Sequence, residues 1–321
     1  MKRFFMGVIA VALVTACSDT GKPSGSWEIA AQGLFSGALS GDAEFAVVGS
    51  LNHGASLWGT AEHERLFNWR HQNGQFVELA SAAFSPDGSR AVTTDPGTLV
   101  LWNTATGESL GYWATPGAVL DVALFADNRN ILLGLDNHSA LVFDATNGAY
   151  RQTLIHEGPV GAVAVNPVAP FALTGSEDFT AVYWNLDNAQ PVHIYQHDSP
   201  VRAVALSSTG RYAFTAAQGS LVAVWDNRMG TLVHKIHNGL NHGVVSARFS
   251  DDERFLAVGY TSREVALYEI STGERVRSWD TGVRGQMHAR GGTVLAIAFS
   301  TRSNALLALT GDGRLLGFQI D

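Results

Sequence analysis

What most constrains this chain is a phrase that recurs seven times: a short apolar strand, a turn, a second strand, a short turn, and a third strand ending in an aromatic. Its clearest copy runs Ala82-Ala83-Phe84-Ser85-Pro86-Asp87-Gly88, then Ala91-Val92-Thr93-Thr94, then Leu99-Val100-Leu101-Trp102-Asn103. The closing aromatics are Trp58, Trp102, Phe143, Trp184, Trp225, Tyr268 and Phe318, at successive spacings of 44, 41, 41, 41, 43 and 50 residues. A unit of that size cannot bury its apolar face alone, so neighbouring copies must stack. The apolar residues fall in short runs bounded by Gly, Asp, Asn and Pro, as half-buried strands require, and no segment sustains a helical period.

Each copy predicts a four-stranded blade whose first two strands are joined by a tight turn such as Pro86-Asp87-Gly88, since Asp-Gly tolerates positive φ. Elsewhere the turn drifts to Ser208-Thr209-Gly210, Asp251-Asp252-Glu253 and Thr301-Arg302-Ser303. After Phe318 only Gln319, Ile320 and Asp321 remain, too few for an outer strand. The segment Trp27-Glu28-Ile29-Ala30-Ala31 alternates apolar and polar ahead of the first repeat's inner strand, Leu34 to Leu39, and is predicted to complete the last blade. Closure of that kind protects the edges an open array exposes.

The phrase resembles the WD repeat (WD40): Trp225-Asp226 is the signature dipeptide, and Phe143-Asp144, Trp184-Asn185 and Trp102-Asn103 are near copies. The resemblance covers residues 27–321 and implies an all-β, seven-bladed β-propeller, its ring closed by the N-terminal strand. It also implies that His156, Thr174, Asp178 and Trp184 form the structural tetrad of such repeats, a chain of histidine, strand hydroxyl, turn aspartate and closing tryptophan. Ser176 can stand in for Thr174, because alternate strand residues share a face. The fifth repeat has His197 and Trp225 but Gln218 at the aspartate position, and the sixth has His242 with Tyr268, so these blades are expected to lean on packing.

At the N-terminus, Met1-Lys2-Arg3 precedes an apolar run from Phe4 to Val14 and the small residues Thr15 and Ala16, which reads as a secretory leader over residues 1–16. The run is too short for a spanning helix, which takes roughly 20 residues. Val14-Thr15-Ala16-Cys17 resembles the bacterial lipobox, and Cys17, the chain's single cysteine, is the expected lipidation site. Ser18 follows it where an aspartate would favour inner-membrane retention, so the resemblance implies an outer-membrane, lipid-anchored protein facing the periplasm. Residues 17–26 read as a flexible tether and 27–321 as the propeller. With Lys2 and Arg3 removed, 19 basic face 29 acidic side chains, and the mature chain carries about −10, which argues against a nucleic-acid binder.

No hydrolase, zinc-protease, phosphate-loop or calcium-loop motif is present. A propeller hosts many chemistries, so the fold alone decides nothing about activity. The Thr/His/Asp set in the fourth repeat reads as structural. His234, His237 and His242 crowd together, but strand alternation sends His234 and His237 to opposite faces. No metal and no cofactor are therefore expected. The long last spacing holds a basic, glycine-flanked insertion over 282–292, in which Arg284, His288 and Arg290 are candidate partner-binding residues and His288 a candidate tetrad histidine.

The expected function is a non-catalytic scaffold of the envelope that binds protein or peptide. The first alternative is a periplasmic hydrolase or lyase acting in the central funnel. The second is an accessory factor in outer-membrane protein assembly, because the propeller lipoprotein of the β-barrel assembly machine shares compartment and architecture. Asp144-Ala145-Thr146-Asn147-Gly148 and Asn103-Thr104-Ala105-Thr106-Gly107 are similar to the quinoprotein-type phrase as well, but the WD-like dipeptides argue against identity with that lipoprotein.

Overall fold

The computed structural model describes residues 20–50, 54–71, 78–219, 222–236, 243–282 and 292–320. They form seven four-stranded antiparallel sheets whose inner strands pack side by side round a ring, a seven-bladed β-propeller. Blades 1 to 6 each use four consecutive strands, and blade 4 is typical: Val160–Val165 inside, then Phe171–Ser176, Thr180–Asn185 and Gln190–Gln196 at the rim. In blade 7 the rim strand comes from the other end of the chain, Gly25–Glu28, antiparallel to Arg314–Gln319 with Trp27 opposite Leu315.

The seam is a core as well as a ladder. Ile29, Leu34, Leu39 and Val48 pack with Ala298, Leu309 and Leu315, while Trp27 stacks on His63 of blade 1 at 3.9 Å between ring centroids. Ile29 and Ala30 both donate backbone N–H groups to the Gly313 carbonyl. Gly313 has φ 86°, and a Cβ there would overlap the Ala30 carbonyl oxygen, so a glycine is needed at this turn.

Docking starts earlier than the expected tether allows. Gly21 already forms a parallel bridge to Trp279 on the rim of blade 6, and Ser24 donates its N–H to the Gly317 carbonyl at 2.8 Å. The ladder begins at Gly25 instead of Trp27 because these residues find unpaired backbone groups along the rim strand of blade 6 and the third strand of blade 7. The leader and Cys17 lie outside the described residues.

Two irregularities recur round the ring. In six inner strands the register slips by one residue, as at Val119/Asp121 and Val201/Ala203, and the skipped side chains, among them Phe35, Leu120 and Arg202, line the central channel. In six blades a second slip falls at the closing aromatic, as at Tyr183/Trp184 and Val224/Trp225. The drifted turn Asp251-Asp252-Glu253 keeps the geometry of the Asp-Gly copy, as does Gly41-Asp42-Ala43 in blade 1: Glu253 at φ 56° and Ala43 at φ 62° occupy the left-handed position that Gly88 holds at φ 69°, whereas Thr301-Arg302-Ser303 has no left-handed residue. Ser250 and Ser40 donate to the turn aspartates Asp252 and Asp42 as Ser85 does to Asp87, and this bond outweighs the modest strain of a non-glycine there.

Candidate functional site: tetrads, central channel and an interblade cleft

In blade 4 the Trp184 indole donates to Thr174 Oγ1 at 2.8 Å, Thr174 Oγ1 lies 2.7 Å from His156 Nε2, and His156 Nδ1 lies 2.8 Å from Asp178 Oδ2. One proton arrangement satisfies all of these: the indole N–H to threonine, the threonine O–H to Nε2, and Nδ1–H to the carboxylate. Burial pushes the Asp178 carboxyl up, but hydrogen bonds from Thr180, His156 and Glu157 outweigh it and hold the group below its usual range. Thr174 has no exposed surface, so its hydroxyl is closed to any substrate. Ser176, the alternative hydroxyl, instead donates to the Gly158 carbonyl.

A second complete set, absent from the sequence reading, joins His71, Thr93, Asp95 and Trp102 in blade 2, with the indole 2.7 Å and His71 Nε2 2.8 Å from Thr93 Oγ1. The signal available was Thr93, Asp95 and Trp102 at short spacing. Blade 5 keeps only half of the network: Trp225 donates to Thr215 at 2.7 Å, while among the described residues neither ring nitrogen of His197 has a partner. Burial pushes the His197 imidazole down to about 4, opposed by Asp198. In blade 6, Tyr260 and Tyr268 share a hydroxyl pair at 2.9 Å, and in blade 7 Thr310 and Arg314 both reach Asp312.

His237 and His242, like Arg284, His288 and Arg290, lie outside the described residues. The described ends of that insertion are held together, Thr281 Oγ1 donating to the Gly292 carbonyl at 3.0 Å. Among the described residues no group of three or more His, Cys, Asp or Glu is placed to hold a metal.

The central channel, about 730 Å³, is walled mainly by Ala, Val, Leu, Ser and Phe of the inner strands. Its ionisable lining residues are Asp42, Asp121, Arg202, Arg248 and Asp251. Arg202 pairs with Glu177 at 2.7 Å near one mouth. Toward the other, burial lowers the Arg248 guanidinium, opposed by Asp251 and Asp42.

Asp121 ties three blades together, accepting from Ser81 Oγ at 3.0 Å in blade 2 and from Val163 N–H at 2.9 Å in blade 4. Burial nevertheless pushes its carboxyl up to about 6. Between about pH 4 and 6 the folded protein therefore holds a proton that the unfolded chain has released. Stability should fall as pH rises through that window, by up to about 3 kcal/mol. Asp121→Asn keeps a bridging amide and should lose this slope. Urea midpoints measured from pH 4 to 7 check it, and parallel curves for the two proteins would refute the assignment.

Between blades 3 and 4 a cleft of about 390 Å³ opens on the side of the inner-strand turns. Phe125, Val142, Val168, Pro170 and Leu186 give it apolar walls, and Asp127 and Asp187 stand among its lining residues. Two buried acceptors in it, Asn130 Oδ1 and Gln152 Oε1, have no hydrogen bond among the described residues. Arg151 is already committed to an ion pair with Asp144. The cleft thus offers acceptors and apolar surface, the complement of a donor on an apolar stem. No short motif marks it, because its walls come from five separated segments.

Fold and site together define a ring with buried structural networks and a lateral cleft between blades 3 and 4. The chain belongs to the family described as outer membrane protein assembly factor BamB, whose profile matches residues 44–310. Comparison with curated proteins found no match. The family match supports the propeller and sets the chain with the assembly-factor family, against which the WD-like dipeptides had weighed. Those dipeptides occupy the same step of a blade in either reading. Asp144 shows the local role of such a residue: its Oδ1 accepts the Thr146 N–H at 2.9 Å and closes the turn after the third strand.

Proposed function

We propose that this protein is a non-catalytic, protein-binding assembly factor of the bacterial envelope, held by a lipid on Cys17 at the periplasmic face of the outer membrane. Family membership carries the reading. The cleft between blades 3 and 4 is the recognition site, taking a lysine or arginine side chain of a partner protein between its apolar walls, with the charged end at Asn130, Gln152, Asp127 and Asp187. Val168, an apolar side chain of the cleft lining that is 71 % exposed, extends the contact surface.

Loss of the gene should lower the amounts of outer-membrane β-barrel proteins; unchanged amounts would refute the assembly role. A photocrosslinker placed at Val168 should capture a protein in intact cells. Asp127→Lys combined with Asp187→Lys should weaken that capture roughly thirtyfold, the loss of about 2 kcal/mol expected of a central contact. The ionisable residues of the channel support the rival enzymatic reading. If Arg248→Leu abolished the cellular role while the cleft variant kept it, the channel would be the functional site.

A further inference from the structure

The path by which the chain enters the ring limits how the ring can be held. Gly21 lies along the rim strand of blade 6, Arg275–Asp280, with its N–H bonded to the Ser278 carbonyl at 2.9 Å and its carbonyl accepting the Asp280 N–H at 3.1 Å. A Cβ on Gly21 would crowd the buried Trp279 indole, so glycine lets the backbone lie flat on that ring. Four residues later the chain is the rim strand of blade 7. Thr20 is therefore fixed at the rim, at the boundary of blades 6 and 7.

Cys17 precedes Thr20 by three residues, so its Cα lies within about 11 Å of the Thr20 Cα whatever path joins them. Resting on the proposed lipidation of Cys17, we propose that the rim of blades 6 and 7 faces the lipid bilayer, so that the propeller stands edge-on with Arg275–Asp280 toward the headgroups. A lipidated cysteine sits at headgroup depth, so a connection this short holds the rim of blades 6 and 7 close to the bilayer and cannot bring the opposite rim to it. Lys22, Arg275, Val276 and Arg277 are exposed here. Arg275 is already paired with Glu264 at 2.8 Å, so Lys22 and Arg277 supply what attraction there is to lipid phosphates, and reach does most of the orienting. The cleft between blades 3 and 4 lies three blade steps away round the seven-membered ring, nearly opposite, and opens into the periplasm.

The test uses the full lipidated protein in vesicles of phosphatidylethanolamine and phosphatidylglycerol doped with a nickel-chelating lipid. Cys17 is the only native cysteine, so Val276→Cys and Val192→Cys each carry a single nitroxide on the near and far rims. Relaxation by headgroup nickel should be severalfold stronger at 276 than at 192. Inserting about 30 Gly/Ser residues after Ser18, with an r.m.s. span of roughly 30 Å, should erase most of that contrast. Mass spectrometry of the same samples separates the failures. A lipidated chain with equal relaxation at both sites overturns the edge-on orientation alone, and a chain carrying no lipid overturns the anchor and the orientation together.

Discussion

A chain beginning at Ala31 should melt roughly 10–20 °C below one beginning at Thr20, the equivalent of about 5 kcal/mol in a domain of this size. Three losses add up. Ile29 leaves a buried site, worth about 1.5–3 kcal/mol. Trp27 gives up its stack on His63, and the Gly313 carbonyl loses two donors. The third strand of blade 7, Arg314–Gln319, then becomes an open edge, so the truncated chain should also associate with rising concentration. Such a loss is a large share of the roughly 5–15 kcal/mol that holds a native protein together. Circular dichroism melts with light scattering check this. Melting within a few degrees of the longer chain would show that blade 7 closes without its fourth strand.

Thr174→Val should cost about 3 kcal/mol. The substitution keeps the shape of the side chain but strands the Trp184 indole N–H and His156 Nε2 in a buried site, at about 1–3 kcal/mol per buried group left unpaired. Thr93→Val should be similar, since Thr93 also holds both a tryptophan and a histidine. Thr215→Val should cost less, because it strands Trp225 alone while His197 has no described partner to lose. Urea denaturation of the three variants tests the ranking. An equal cost at Thr215 would mean that the histidine adds nothing to these networks.

How far the site was legible follows from which residues it joins. The blade 4 tetrad was readable because its members match the WD-repeat pattern that the sequence resembles, His156 18 residues before Thr174 and Asp178 four after it. The blade 2 set escaped because His71 stands 22 residues before Thr93 and Asp95 only two after, so the same bonds are reached from a different spacing. Asp121 looked like any strand aspartate, since its partners Ser81 and Val163 are 40 and 42 residues distant. The cleft left no mark for the same reason.

By itself the amino-acid sequence determined the all-β class, seven blades and a ring closed by its own two ends. These follow from alternation, turn chemistry and the roughly 42-residue return of a closing aromatic, all properties of short stretches that any copy carries whole. Only the tertiary structure decided where register slips re-aim side chains into the channel, which carboxyl bridges three blades, that docking starts at Gly21, and where the cleft between blades 3 and 4 opens. Each of these depends on the distance between side chains of different blades, and that distance is set by how the sheets pack, a quantity no single stretch of chain contains.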